Sequence, residues 1–283
     1  MLNRFWWIAC LSLLICLQGM AGGIVSLLPS VTDMVVDLGS ANRLTGITRY
    51  GVVPEGVFVE RLGGMYDLNV EAVLRLKPDH VLAYHGAETR LKPVSDAGIP
   101  VEYLKINTLD EVIASYLRVG QLLGKAELAT RRVAQLEALL KPSETSVEKV
   151  PSMLVITSEG GLNASRIFVS ANSFYGNLLP RLGAKNAVNS KVAYPSLSLE
   201  GLLNINPDII ILLSEKKGQI TNCGEKPFSF LKACRDKAIF NLYNPKMMHP
   251  GPIVFQLVPI LKRILKGYAD HSTTLLPAHI EIH

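Results

Sequence analysis

The chain has 283 residues, 48% of them hydrophobic and 19% charged, enough for two cores of ordinary size rather than one. Its formal charge is +5, falling to +4 without Arg4. No Lys/Arg-rich run and no basic stripe with interleaved aromatics occurs, so nucleic acid is not an expected partner.

Residues 1–21 read as a secretory signal. Arg4 is a short positive start, Phe5 to Leu17 is apolar, and Gly19-Met20-Ala21 offers small residues for cleavage before Gly22. The apolar run is shorter than the roughly 20 residues of a spanning helix, which favours a cleaved signal and a periplasmic mature chain over a retained anchor. A lipoprotein is disfavoured because Cys16 follows Leu14-Ile15 rather than a small residue. Cleavage leaves Cys223 and Cys234. A pair of cysteines in an oxidising compartment suggests a disulfide, with two buried free thiols as the alternative.

The mature chain opens on an apolar strand, Ile24 to Leu28, followed by a helical stretch that closes at Leu38-Gly39-Ser-Ala-Asn42. Further strands read at Leu44 to Thr48, His80 to Tyr84 and Val101 to Leu104. Between them, Glu71-Ala-Val-Leu-Arg-Leu-Lys-Pro78-Asp79 reads as a short helix ended by proline and followed by a buried strand. Thr108 and Glu111 form a capping box for a helix running to about Leu123. Gly124 interrupts it, a second helix covers about Ala126 to Leu140, and Pro142 to Val150 is a polar connection.

The same signals then recur. Met153 to Thr157 is a strand, Leu182-Gly183-Ala-Lys-Asn186 closes a helix, and Glu200-Gly-Leu-Leu-Asn-Ile-Asn-Pro207-Asp208 precedes the apolar run Ile209 to Leu212. Both boxes spell E-x-x-L-x-[LI]-x-P-D. The chain therefore reads as two related, Rossmann-like α/β lobes joined by a long rigid helix. The expected division is a signal over 1–21, a first lobe over 22–124, a connecting helix over 125–149, a second lobe over 150–270, and a frayed tail over 271–283.

The opening Ile24-Val-Ser-Leu-Leu-Pro-Ser-Val-Thr-Asp33-Met, then Leu38-Gly39, Thr48-Arg49-Tyr50, Pro54, Leu62-Gly-Gly-Met65 and the two glutamate boxes resemble, in order, the periplasmic binding proteins for cobalamin and ferric siderophores. The resemblance covers residues 23 to 269 and implies a solute-binding component of an ABC importer, with its ligand cleft between the lobes. Its partners would be a permease dimer in the inner membrane with its ATPase, and the chain would act as a monomer. Its cargo would be a cobalt- or iron-containing chelate (corrinoid, haem or ferric siderophore), with no permanent cofactor and no resident metal. Tyr50, Met65 and Tyr84 in the first lobe, and Phe168, Tyr194 and His249 in the second, match ligand-contact positions. Glu71 and Glu200 match the permease-docking glutamates, one on each lobe. Recurrence at equivalent places in a duplicated chain suits a two-subunit partner, although helix-start glutamates also serve local capping. Met65 and Phe168 read equally as core residues, and His249 as a solvated loop residue.

The sequence departs from the family at Met247-Met248-His249-Pro250-Gly251-Pro252, where an arginine-containing segment usually precedes the last helix. Methionine and histidine there suit cobalt or haem iron better than an acidic siderophore. A free zinc or manganese carrier is the alternative. It would need three or four converging ligands, and three of the six histidines, His271, His279 and His283, fall in the tail. An enzyme is disfavoured because no G-x-S-x-G, G-x-G-x-x-G or H-E-x-x-H motif occurs. Gly120 to Lys125 lies between helices with the wrong glycine spacing for a phosphate loop, and Glu159-Gly160-Gly161 reads as a loop after a strand.

Overall fold

The computed structural model describes residues 23–141, 150–157, 167–215, 217, 223–224, 226–273 and 276–282. The signal segment and Glu159–Gly161 lie outside them. The chain forms two compact units, divided between Leu104 and Lys105.

The first unit holds β1 (Ile24–Ser26), α1 (Pro29–Asp37), β2 (Leu44–Ile47), β3 (Glu60–Arg61), α2 (Val70–Leu76), β4 (His80–Tyr84), α3 (Glu88–Asp96) and β5 (Val101–Leu104). β1 stops short of Leu28 because Pro29 starts α1, where its missing amide costs nothing, and Leu28 is the extended N-cap. The five strands are parallel in the order β3-β2-β1-β4-β5.

The second unit begins with α4 (Leu109–Leu122) and α5 (Ala126–Leu140). Thr108 Oγ1 accepts the Glu111 amide and the Glu111 carboxylate accepts the Thr108 amide, the capping box that the sequence signals. The unit continues with β6 (Ser152–Ile156), β7 (Ile167–Phe168), α6 (Phe174–Arg181), β8 (Lys185–Asn186), β9 (Ser196–Leu197), α7 (Leu199–Ile205) and β10 (Ile209–Ser214). It closes with α8 (Lys232–Arg235), β11 (Ile239–Tyr243), α9 (Val254–Ala269) and β12 (His279–Glu281). α4 packs on α5 and α6, and α5 on α9, so the long helices fold with the second unit and the boundary falls ahead of them rather than after Gly124.

The second sheet is also parallel, in the order β8-β6-β10-β11-β12. Superposing the two orders matches β2 with β8, β1 with β6, β4 with β10 and β5 with β11. The fifth strand is added at opposite edges: β3 beyond β2 in one unit, β12 beyond β11 in the other. The repeat extends to details. Gly39 and Gly183 both leave their helices at positive φ, +69° and +84°. Asn69 and Ser198 cap α2 and α7 through the third amide onward, at 2.9 and 3.0 Å. Lys77 and Asn206, each before a proline, both end their helices in the left-handed region at φ 45° and 43°.

Among the described residues the tail after Asp270 is not frayed at its end, contrary to the sequence reading. Its His-Ile-Glu-Ile alternation supplies a strand that pairs parallel to β11 and buries Ile280 and Ile282. One core joins Val25, Val81, Ala72 and Leu91 between sheet and helices of the first unit; another joins Ile210, Leu202, Leu231 and Cys234 in the second. Burying each large aliphatic side chain contributes about 1.5–3 kcal/mol.

Candidate functional site

In the first unit, a cavity of about 540 Å³ opens at the carboxyl ends of the strands, where open parallel sheets present ligand sites. Leu27 and Leu28 follow β1, Thr48 follows β2, and Ala83 and Tyr84 end β4; Leu68 and Arg90 line the remaining wall with Met65. The walls are largely apolar.

Met65 is held in place by the loop from Gly63 to Leu68. Gly63 adopts φ +93°, and a Cβ there would stand 2.3 Å from the Asp67 carbonyl oxygen, so only glycine fits. The Asp67 carboxylate turns back to accept the Gly64 amide at 2.8 Å and pairs with Arg49. The Gly64 amide, with the Arg49 guanidinium beside it, holds that carboxyl below the usual aspartate range. Arg61 donates to the carbonyls of Thr48, Arg49 and Gly51, fixing the turn that follows β2.

Met65 and Tyr84 therefore come together in one cavity. Met65 is 60% exposed and is not a core residue. Tyr50, 66% exposed, stands on the same turn as Gly51 but does not line the cavity. His85, just past Tyr84, pairs with Glu88 at 3.1 Å.

In the second unit, Phe168 on β7 pairs antiparallel with Ser196 on β9. Hydrogen bonds from the Val169 amide to the Pro195 carbonyl and from the Ala171 amide to the Ala193 carbonyl carry this ribbon on to Tyr194. Phe168 and Tyr194 are each 40% exposed, so both present ring surface. The Ser173 hydroxyl, which caps α6, lies near the Tyr194 phenol; burial pushes that phenol's pKa up and the serine opposes the shift. Tyr175 is buried beside it and donates to the Met247 carbonyl, and burial raises its pKa further. His249 is 9% exposed, held in the turn after β11 with its amide on the Lys246 carbonyl at 2.9 Å. It is thus a buried residue, not a solvated one.

Glu71 and Glu200 are both exposed, each the second residue of its matching seven-residue helix. Cys223 and Cys234 are joined in the structure, with Cα atoms 5.2 Å apart.

The profile of the family described as "Periplasmic binding protein" matches residues 24–225. The chain belongs to the periplasmic binding protein family. Among its relatives is the uncharacterized ABC transporter substrate-binding lipoprotein YvrC of Bacillus subtilis, 25% identical over 264 residues that span 90% of this chain and 80% of the relative. Another is the vitamin B12-binding protein of Pectobacterium carotovorum, 26% identical over 221 residues, covering 73% and 76%. The fold is shared with the periplasmic haem-binding protein HutB of Vibrio cholerae, with a TM-score of 0.71 at 20% identity over 87% of this chain and 99% of that one. It is shared also with the periplasmic vitamin B12-binding protein BtuF of Vibrio cholerae, with a TM-score of 0.66 at 21% identity over 88% and 98%.

For this periplasmic binding protein, the sequence pointed to the strand ends but missed three residues that shape them. Asp67 braces the Met65 loop, Ser173 lies near Tyr194, and Arg90 lines the cavity. The adjacent glycines Gly63-Gly64 are the one local signal that could have pointed to the Asp67 loop; nothing local distinguishes Arg90 from an ordinary polar helix residue. Among the described residues, no helix is long and apolar enough to cross a membrane, and no group of three His, Cys, Asp or Glu could hold a metal ion.

Proposed function

We propose that this chain is the solute-binding component of an ABC importer, that its cargo is a metal chelate of the corrinoid, haem or ferric-siderophore class, and that it performs no chemistry on that cargo. The carrying observation is the apolar strand-end cavity of about 540 Å³ in a member of a family with vitamin B12-binding and haem-binding relatives. A volume more than ten times the roughly 30 Å³ share of one water suits a large organic ligand rather than a bare zinc or manganese ion. The apolar walls with a tyrosine and a methionine suit a flat macrocycle. Met65 and Tyr84 are the proposed ligand contacts in this cavity, with Tyr50 exposed on the turn beside it; Phe168, Tyr194 and His249 are the proposed ligand contacts of the second unit.

Glu71 and Glu200 are the proposed docking charges for a permease dimer. They recur on equivalent helices and are exposed. A rim charge sets orientation and association rate more than affinity. Residues 1–21 direct the chain to the periplasm, where it acts as a monomer. Changing both glutamates to alanine should leave chelate affinity in solution intact and sharply reduce uptake into vesicles carrying the permease, with each single change doing less. Fold stability should move by about 0.3–1 kcal/mol per site at most. Loss of chelate binding in a folded double variant would place these residues in the ligand site; unchanged uptake would leave them as helix caps.

A further inference from the structure

Two phenylalanines are bare at positions outside the cavity lining: Phe58 is 93% exposed and Phe230 56%. A single exposed apolar side chain is ordinary; the weight lies in where these two stand. Each lies beside a helix that carries an exposed glutamate. In the first unit Glu60, two residues after Phe58, pairs with Arg75 at 2.5 Å, and Arg75 is one turn on from Glu71 in α2. In the second unit the amide of Lys232, two residues after Phe230, donates to the Asn206 side chain at 2.7 Å. Asn206 is the C-cap of α7, the helix of Glu200. Leu203 of α7 and Phe228 also pack on one core cluster. A seven-residue helix is about 10 Å long, so each ring falls within the roughly 30 Å width of a standard docking patch that includes its glutamate.

Duplication does not account for this placement. Phe58 sits between β2 and β3, and Phe230 between β10 and β11, connections that are not counterparts when the two strand orders are superposed. Both rings stand on ordered turns. The Val57 amide donates to the Pro54 carbonyl and the Phe230 amide to the Pro227 carbonyl, each at 3.2 Å. Arg235 donates to the Phe230 carbonyl at 2.5 Å, and Cys223 is joined to Cys234 across the same segment. An anchor ordered beforehand loses little freedom on binding.

We infer that Phe58 and Phe230 are apolar anchors of the docking surface, each entering a hydrophobic pocket on a permease subunit whose cation meets the neighbouring glutamate. This rests on the reading of Glu71 and Glu200 as docking charges and adds what those charges do not supply. A rim charge orients and speeds encounter, whereas buried aromatic anchors carry much of an interface's strength and act on dissociation. The two groups therefore differ in salt response. The glutamate contribution fades as screening grows; the ring contribution does not.

The experiment measures association of the full mature chain with the permease dimer and its ATPase in nanodiscs, by surface plasmon resonance at about 0.05 and about 0.5 M salt. Permease-free nanodiscs of the same lipid serve as reference. Phe58→Ala and Phe230→Ala should each speed dissociation about tenfold or more at both salt concentrations, and Phe58→Leu and Phe230→Leu should keep part of the contact. The double variant Glu71→Ala, Glu200→Ala should slow association chiefly at low salt. Chelate affinity and the thermal midpoint should stay at wild-type values in the phenylalanine variants, because both rings are exposed and outside the cavity lining. Wild-type dissociation in either phenylalanine variant, with the glutamate variant impaired, would overturn the anchor in that unit and leave the docking reading standing. Equal losses on permease-free nanodiscs would overturn it in favour of a bilayer partner, and loss of chelate binding in favour of a ligand contact. No association of the wild type with the permease would remove the docking reading itself.

Discussion

Asp208 ends the second glutamate box, and its surroundings differ from those of its counterpart Asp79, which is exposed. Its Oδ2 accepts the Ser152 amide and hydroxyl, both at 2.8 Å. Its Oδ1 accepts the Tyr268 hydroxyl at 3.1 Å and lies 3.2 Å from Lys232 Nζ. Burial opposes ionisation, but the Ser152, Lys232 and Tyr268 bonds outweigh it and hold the carboxyl at about 2, below its ordinary 3.8. The side chain is only 10% exposed, so solvent screening is slight. A depression from 3.8 to about 2 corresponds to roughly 2 kcal/mol of stability at neutral pH. Asp208→Asn keeps the shape and removes the charge, while Lys232 retains Asp236.

The variant should therefore lose roughly 2 kcal/mol at pH 7, or about 1 M in urea midpoint for an ordinary denaturant slope. Because the folded pKa is lowered, this stability is present above about pH 4 and is lost as pH falls toward 2. The gap between wild type and variant should narrow over that range. Urea unfolding by circular dichroism at several pH values measures it, with hydrogen exchange of β6 and β10 amides assigning the loss to the second unit. A gap below about 0.5 kcal/mol at pH 7, or one that stays constant down to pH 2, would refute the reasoning.

Tyr84→Ala should weaken chelate binding about tenfold or more, because it removes a ring from the cavity wall, whereas Tyr50→Ala should do less because Tyr50 does not line the cavity; calorimetric titration that gave the reverse order would move the site. Cys223 and Cys234 should resist alkylation until reductant is added, and labelling of both thiols in the untreated protein would remove the disulfide. Replacing both with serine should lower the stability of the second unit by about 2–3 kcal/mol, read from the thermal midpoint.

Most of the fold is legible in local signals because the two units use the same ones. The LG turns, the capped glutamate helices and the capping box at Thr108 all depend on neighbours within a few residues, and the structure keeps them. The end of the chain was harder to read. Three residues of alternation at Ile280 are too few to mark a strand, and only the open edge of β11 makes them one. The site was partly legible for a related reason. Tyr84 follows from the end of an apolar strand, whereas Met65 follows only from the family resemblance. Arg90 sits in Glu-Thr-Arg-Leu-Lys-Pro, an ordinary solvated helix pattern, and becomes notable only when the Met65 loop is brought to it over 25 residues. His249 beside Pro-Gly-Pro suggests an open loop, but tertiary packing in the turn after β11 buries it.

The most direct measurement of the central claim is a binding panel on the mature chain, with haem, cyanocobalamin, ferric siderophores and free zinc, each followed by native mass spectrometry and absorption. The account predicts that at least one chelate binds one-to-one at micromolar affinity or tighter, about −8 kcal/mol or better, while zinc binds weakly or not at all. Tight, stoichiometric zinc binding with no chelate retained would contradict it.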